Sequence, residues 1–113
     1  MPNVTCDFDA GRTPQFIFDP SQPVHMDAAG VVVVNRKAGQ SWTFTGFNSQ
    51  TNQLTAVVTP AAVTITDAYT TMGSNCYTVT VSANNTSYTS PDPVIVNDPP
   101  TPKPAPPPPR PKP

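Results

Sequence analysis

Residues 76–83, Cys-Tyr-Thr-Val-Thr-Val-Ser-Ala, set Tyr77, Val79 and Val81 on one side of the chain and Thr78, Thr80 and Ser82 on the other. A period of two belongs to a β-strand with one buried face and one wet face. The same alternation recurs where Val4, Cys6 and Phe8 interleave with Thr5 and Asp7, and where Trp42 and Phe44 interleave with Thr43 and Thr45. Composition agrees with the pattern. The chain carries 13 Val and 16 Thr against one Leu, Leu54, and no Glu. Branching at Cβ restricts χ1 in a helix but suits a pleated surface, and the strong helix formers are almost missing. An all-β domain is therefore expected.

Candidate strands cover residues 4–8, 15–18, 31–34, 41–47, 55–59, 62–66, 76–83 and 93–97, separated by Gly-, Pro-, Asn- and Asp-rich turns. Residues 31–34 are four valines, apolar on both faces, which predicts a central strand. Gly46 interrupts an alternating run and predicts a bulge. Pro60 cannot donate to a ladder and predicts an edge or a connection. Residues 67–75 and 84–92 read as loops, the second a long polar one after which residues 93–97 pair antiparallel with 76–83. About seven or eight short strands at regular spacing form the pattern of a β-sandwich. Over residues 4–97 the chain resembles bacterial immunoglobulin-like domains, which implies an immunoglobulin-like or Greek-key antiparallel sandwich. The antibody-type motif departs from this sequence: Trp42 stands far beyond Cys6, and the position two before Cys76 holds Ser74, not Tyr.

Two regions of opposite charge divide the chain into residues 1–98 and a tail, residues 99–113. All seven acids are Asp and lie at or before Asp98, against Arg12, Arg36 and Lys37; the tail holds Lys103, Arg110 and Lys112 with no acid. An acidic body lacks the clustered cations that neutralise phosphate, so nucleic acid is not an expected partner. No apolar run approaches the ~20 residues of a membrane span. The first residues lack a basic and apolar leader, so no signal peptide is read. The Thr-, Val- and Asn-rich, Lys-poor composition nonetheless favours a periplasmic or extracellular setting over the cytoplasm.

Little catalytic chemistry is legible. His25 is the one side chain whose ordinary pKa lies near neutrality, and Asp19 and Asp27 are its nearest acids in sequence. No Gly-x-Ser-x-Gly turn accompanies it. No cofactor is expected, and the absence of paired Cys or His spacing disfavours zinc. Asp7 and Asp9 share one face of the first strand and are the candidate calcium ligands, although calcium wants six to eight oxygens. Cys6 and Cys76, the only cysteines, could close a loop of about 70 residues as a disulfide, or serve as two small buried hydrophobes. Tyr69 and Tyr88 fall in or beside loops and are candidate contact residues.

Ten of the fifteen residues from 99 to 113 are Pro. Such a segment favours extended polyproline II, about 45 Å long at 3.1 Å per residue. It reads as a stiff basic spacer. Lys103, Pro106, Pro109 and Arg110 alternatively fit the basic-x-x-Pro-x-x-Pro ligand form that aromatic grooves bind. The sequence thus points to a non-enzymatic binding or structural module whose partner is another protein or another copy of itself. The alternative is an assembly subunit that associates through strand edges or the tail; a small enzyme is the remaining class.

Overall fold

The computed structural model describes residues 2–11, 14–21, 23–91 and 93–99, which form strands and no helix. Ten strands follow in order: β1 (Asn3–Asp9), β2 (Gln15–Asp19), β3 (Val24–Met26), β4 (Gly30–Arg36), β5 (Thr43–Ser49), β6 (Leu54–Thr59), β7 (Ala62–Asp67), β8 (Gly73–Ala83), β9 (Thr86–Thr89) and β10 (Val94–Asn97). One sheet has the order β2-β1-β4-β7-β6. The other has the order β3-β10-β8-β5, with β9 also paired to β8.

Both sheets are mixed, where the sequence predicts purely antiparallel ones. β1 runs parallel to β4 and β3 runs parallel to β10; the remaining pairs are antiparallel. The cause is connectivity. The β1–β2 hairpin lies against β4 as a unit, and the chain then crosses to the other sheet between β2 and β3 to add β3 beside β10. Residue alternation fixes which face of a strand is wet, but not its neighbour or direction.

The two sheets share one core. Val4, Cys6, Phe8, Val32, Val34, Val63 and Ile65 point inward from the first; Phe44, Tyr77, Val79, Val81 and Ile95 point inward from the second. β4 occupies the middle of its sheet, as its four valines predict, with Val32 and Val34 fully buried. Register shifts between Phe44 and Gly46 against β8, which places the expected bulge. Pro60 sits in the tight β6–β7 connection, and its carbonyl accepts the Phe44 amide at 3.0 Å.

Residues 84–92 are not one long loop. Asn84 and Asn85 have φ of 51° and 62°, the left-handed pair that joins strands in a two-residue hairpin. β9 follows at once and pairs with β8 through Thr86↔Ala83 and Tyr88↔Val81. Pro91 and Pro93 then interrupt the ladder. Ser90 spans the gap: its hydroxyl accepts the Val79 amide at 3.0 Å and its own amide donates to the Val79 carbonyl at 2.9 Å. Beyond it β10 resumes pairing, with Val94 opposite Cys76.

Candidate functional site

Three connections meet at one end of the sheets: the end of β1, the β4–β5 turn and the β8–β9 turn. They frame an open cleft of about 420 Å³ lined by Phe8, Asp9, Gln40, Trp42, Ser82 and Asn84, among others. Its floor is aromatic. Phe8 lies 4.6 Å from Phe16, 5.0 Å from Tyr88 and 6.1 Å from Trp42 between ring centroids, and Trp42 meets Phe44 edge-on at 4.8 Å. Tilted and edge-on contacts suit the quadrupoles of aromatic rings.

Gln40 holds that floor in place. Its Oε1 accepts the Trp42 Nε1–H at 2.5 Å and the Phe8 amide at 3.2 Å. Its Nε2 donates to Asp7 Oδ1 at 2.5 Å. The Asp7 Oδ2 receives Lys37 Nζ at 3.2 Å. The Gln40 and Lys37 hydrogen bonds hold the Asp7 carboxyl below the usual carboxylate range, against a smaller opposing effect of burial. The β4–β5 turn that presents Gln40 depends on Gly39 at φ 86°, a backbone that glycine adopts freely. Arg36 braces the same turn by donating to the Trp42 carbonyl at 2.7 Å. Asp9, Ser41, Ser82 and Asn84 supply polar groups around the aromatic floor. The arrangement can hold a ligand by shape and hydrogen bonding.

Compared with known protein families and with curated proteins, the chain matches none.

The candidates read from sequence are scattered over the fold. Asp7 and Asp9 do share the outward face of β1, but Asp7 is committed to Gln40 and Lys37, and Asp9 accepts the Gly11 amide at 3.0 Å. Among the described residues no group of three or more His, Cys, Asp or Glu side chains is placed to hold a metal ion. Cys6 and Cys76 are free thiols on different sheets. Cys6 points into the core, while the inward residues of β8 are Asn75, Tyr77, Val79 and Val81, which turns Cys76 the other way. Burial first, and the Asp7 carboxylate second, push the Cys6 thiol up to about 12. Burial raises Tyr77 as well, with Cys6 adding to it.

Tyr69 and Tyr88 are half-buried. Tyr88 covers Phe8, and the Tyr69 hydroxyl donates to the Asp98 carbonyl. Partial burial raises the Tyr69 pKa, followed by the carboxylates of Asp27, Asp98 and Asp67. His25 lies on a strand, β3, where the sequence reads a loop; its Nδ1 is 2.7 Å from Asp98 Oδ2 and the pair is exposed. It does not line the loop-end cleft. Lys103, Pro106, Pro109 and Arg110 lie outside the described residues, as does the polyproline II expectation itself.

Sequence reasoning sets Trp42 on the apolar side of an alternating run and passes over Gln40, Ser82 and Asn84. Asn84-Asn85 was the available signal, since such a pair marks a tight hairpin whose tip lies at one end of a sandwich.

Proposed function

We propose that the chain is an immunoglobulin-like β-sandwich that works as a non-enzymatic binding module, receiving a protein or peptide at the loop-end cleft. The cleft carries this reading. A floor of Phe8 and Trp42, held by Gln40, sits inside a rim of short turns. Strand order supports the immunoglobulin-like assignment. With β1, β3 and β9 set aside, the sheets run β2-β4-β7-β6 and β10-β8-β5. These are the ABED and GFC orders of that fold when β2, β4, β5, β6, β7, β8 and β10 are read as A to G. β1 is then an added strand between A and B. In this reading the basic proline-rich segment is a spacer that gives the module reach.

The test is a peptide-array screen with the full chain, followed by NMR mapping of any hit. Shifts centred on Ser41, Ser82 and Asn84, lost in Ser82→Arg, support the cleft. Hits whose binding is indifferent to Ser82→Arg refute it.

A second reading, assembly through sheet edges, has its own observation. The edge strands β2 and β6 expose Ile17 and Val57, at 50% and 67%. Unpaired edges with exposed apolar side chains invite pairing with another chain. Light scattering on the full chain and on Val57→Lys distinguishes the readings, because only assembly predicts an oligomer that the lysine disperses.

A further inference from the structure

A second cleft opens on the side of the sandwich where the chain crosses from β2 to β3. It measures about 210 Å³ and is walled by Phe18, Pro20, Val24, Tyr77, Pro93 and Val94. By comparison, a cavity of about 150 Å³ admits a benzene ring. Tyr77 gives these apolar walls a donor. The residue is 2% exposed, and its ring stacks on Phe47 at 5.8 Å. Its hydroxyl makes no hydrogen bond among the described residues, yet it is not sealed from solvent. It meets solvent through the cleft that Tyr77 lines. Burial raises its pKa, so it stays protonated and able to donate.

Phe18 and Ser21 also line an adjoining cleft, which carries Asp19. The neighbouring Asp7 has Lys37 beside it, whereas Asp19 is exposed and makes no ion pair among the described residues. An apolar slot, a phenolic donor and an uncommitted carboxylate thus follow one another. Their complement is a ligand with ring faces, a carbonyl free of competing donors, and a cation. Residues 99–113 carry that chemistry: ten are Pro, and Lys103, Arg110 and Lys112 stand without an acid. Residues 1–98 hold seven Asp against three cations, so the charges are complementary. Proline lacks an N–H and exposes an apolar ring, which is why proline-rich segments seat against aromatic and apolar walls that donate to their carbonyls.

We propose that the basic proline-rich segment folds back on the body it leaves, seating residues 106–109 in this cleft with a carbonyl on the Tyr77 hydroxyl and Arg110 beside Asp19. The point of departure is fixed. The Asp98 amide donates to the Met26 carbonyl at 2.8 Å and the Tyr69 hydroxyl donates to the Asp98 carbonyl, so the segment leaves beside β3. Val24, near the start of β3, and Val94, four residues before Asp98, both wall the cleft. The way back is therefore about 13 Å. About three residues reverse the chain, and about four more at 3.1 Å each cover that distance, which brings residue 106 to the cleft. A tether this short holds the segment at an effective concentration on the order of millimolar, so a weak contact keeps it seated. The spacer role then belongs to the released segment, and the loop-end cleft is left free for its own ligand.

The test is NMR on the full chain with labelled proline and tyrosine, read for cross-relaxation between the Tyr77 ring and residues 106–109. The expected result is a set of cross-peaks that dilution leaves unchanged and that about 0.5 M salt weakens. Tyr77→Phe keeps the ring and removes the donor; it should lower the docked-to-free ratio about fivefold, the worth of one hydrogen bond. Arg110→Glu lies beyond the last strand and leaves the core intact; it should lower the ratio about two- to fivefold. No cross-peaks in the wild-type chain, or cross-peaks indifferent to either substitution, overturn the proposal. Cross-peaks that fade on dilution assign the contact to a second copy and overturn the fold-back. Cross-peaks to Trp42 in place of Tyr77 also overturn it, by seating the segment in the loop-end cleft, an outcome that leaves the binding role of that cleft standing.

Discussion

Replacing Gln40 by Glu isolates the group that fixes the cleft floor. The substitution keeps a side-chain oxygen for the Trp42 Nε1–H and the Phe8 amide, but replaces the Nε2 donor 2.5 Å from Asp7 Oδ1 by a second carboxylate oxygen. Losing a hydrogen bond to a charged partner costs about 1.5 kcal/mol or more. Two like charges some 4 Å apart add about 1 kcal/mol at the dielectric of water and several times that in a less polar surround. Asp7 is partly exposed and Lys37 stays beside it, so the lower figure applies. The sum is about 2–3 kcal/mol at pH 7, or about 10–15 °C in Tm for a domain near 100 residues. The sign with pH follows from the lowered Asp7 pKa. In the wild type, ionised Asp7 contributes stability that is present above its unfolded value, about 4, and lost as pH falls through the folded one. In Gln40→Glu the penalty is largest at neutral pH. It shrinks toward pH 4, where one carboxyl takes a proton and donates it to the other. Thermal unfolding followed by Trp42 fluorescence from pH 4 to 8 measures both. A Tm within about 2 °C of wild type at pH 7, or a deficit independent of pH, refutes the reasoning.

Gly73 has φ 105° and nothing within 4 Å of a Cβ built there, so Gly73→Ala should cost about 1–2 kcal/mol from backbone strain alone. A neutral result in urea denaturation would contradict the left-handed backbone. Asn85→Gly should leave stability unchanged or raise it by up to about 0.5 kcal/mol, while Asn85→Val should lower it by about 1 kcal/mol or more. Alkylation of the native chain should modify Cys76 first, with Cys6 reacting only as the sandwich opens; mass spectrometry showing equal rates would contradict the burial of Cys6. Both Cys6 and Tyr77 have raised folded pKa values. Their contribution is complete below the unfolded values, about 8.5 and 10, and is lost as pH rises, so urea midpoints should fall above pH 9.

The sequence by itself determined the class of structure and most of the strands. Alternation at residues 4–8 and 76–83 set the inward face of β1 and β8, because the side-chain period is a local property of the backbone. The four valines of β4, the bulge at Gly46 and the turn at Pro60 were legible for the same reason. Tertiary structure alone decided the parallel pairing of β1 with β4 and of β3 with β10, since pairing direction depends on where the chain returns and not on its pattern. It turned a three-residue stretch around His25 into a strand by offering it the open edge of β10. It also assembled both ends of the sandwich. Gln40 meets Phe8 and Asp7 from a distant strand, and Asp67 meets Asn97 across the sheets. Such polar contacts leave no periodic trace, because each is made by single residues far apart in sequence whose meeting depends on sheet order.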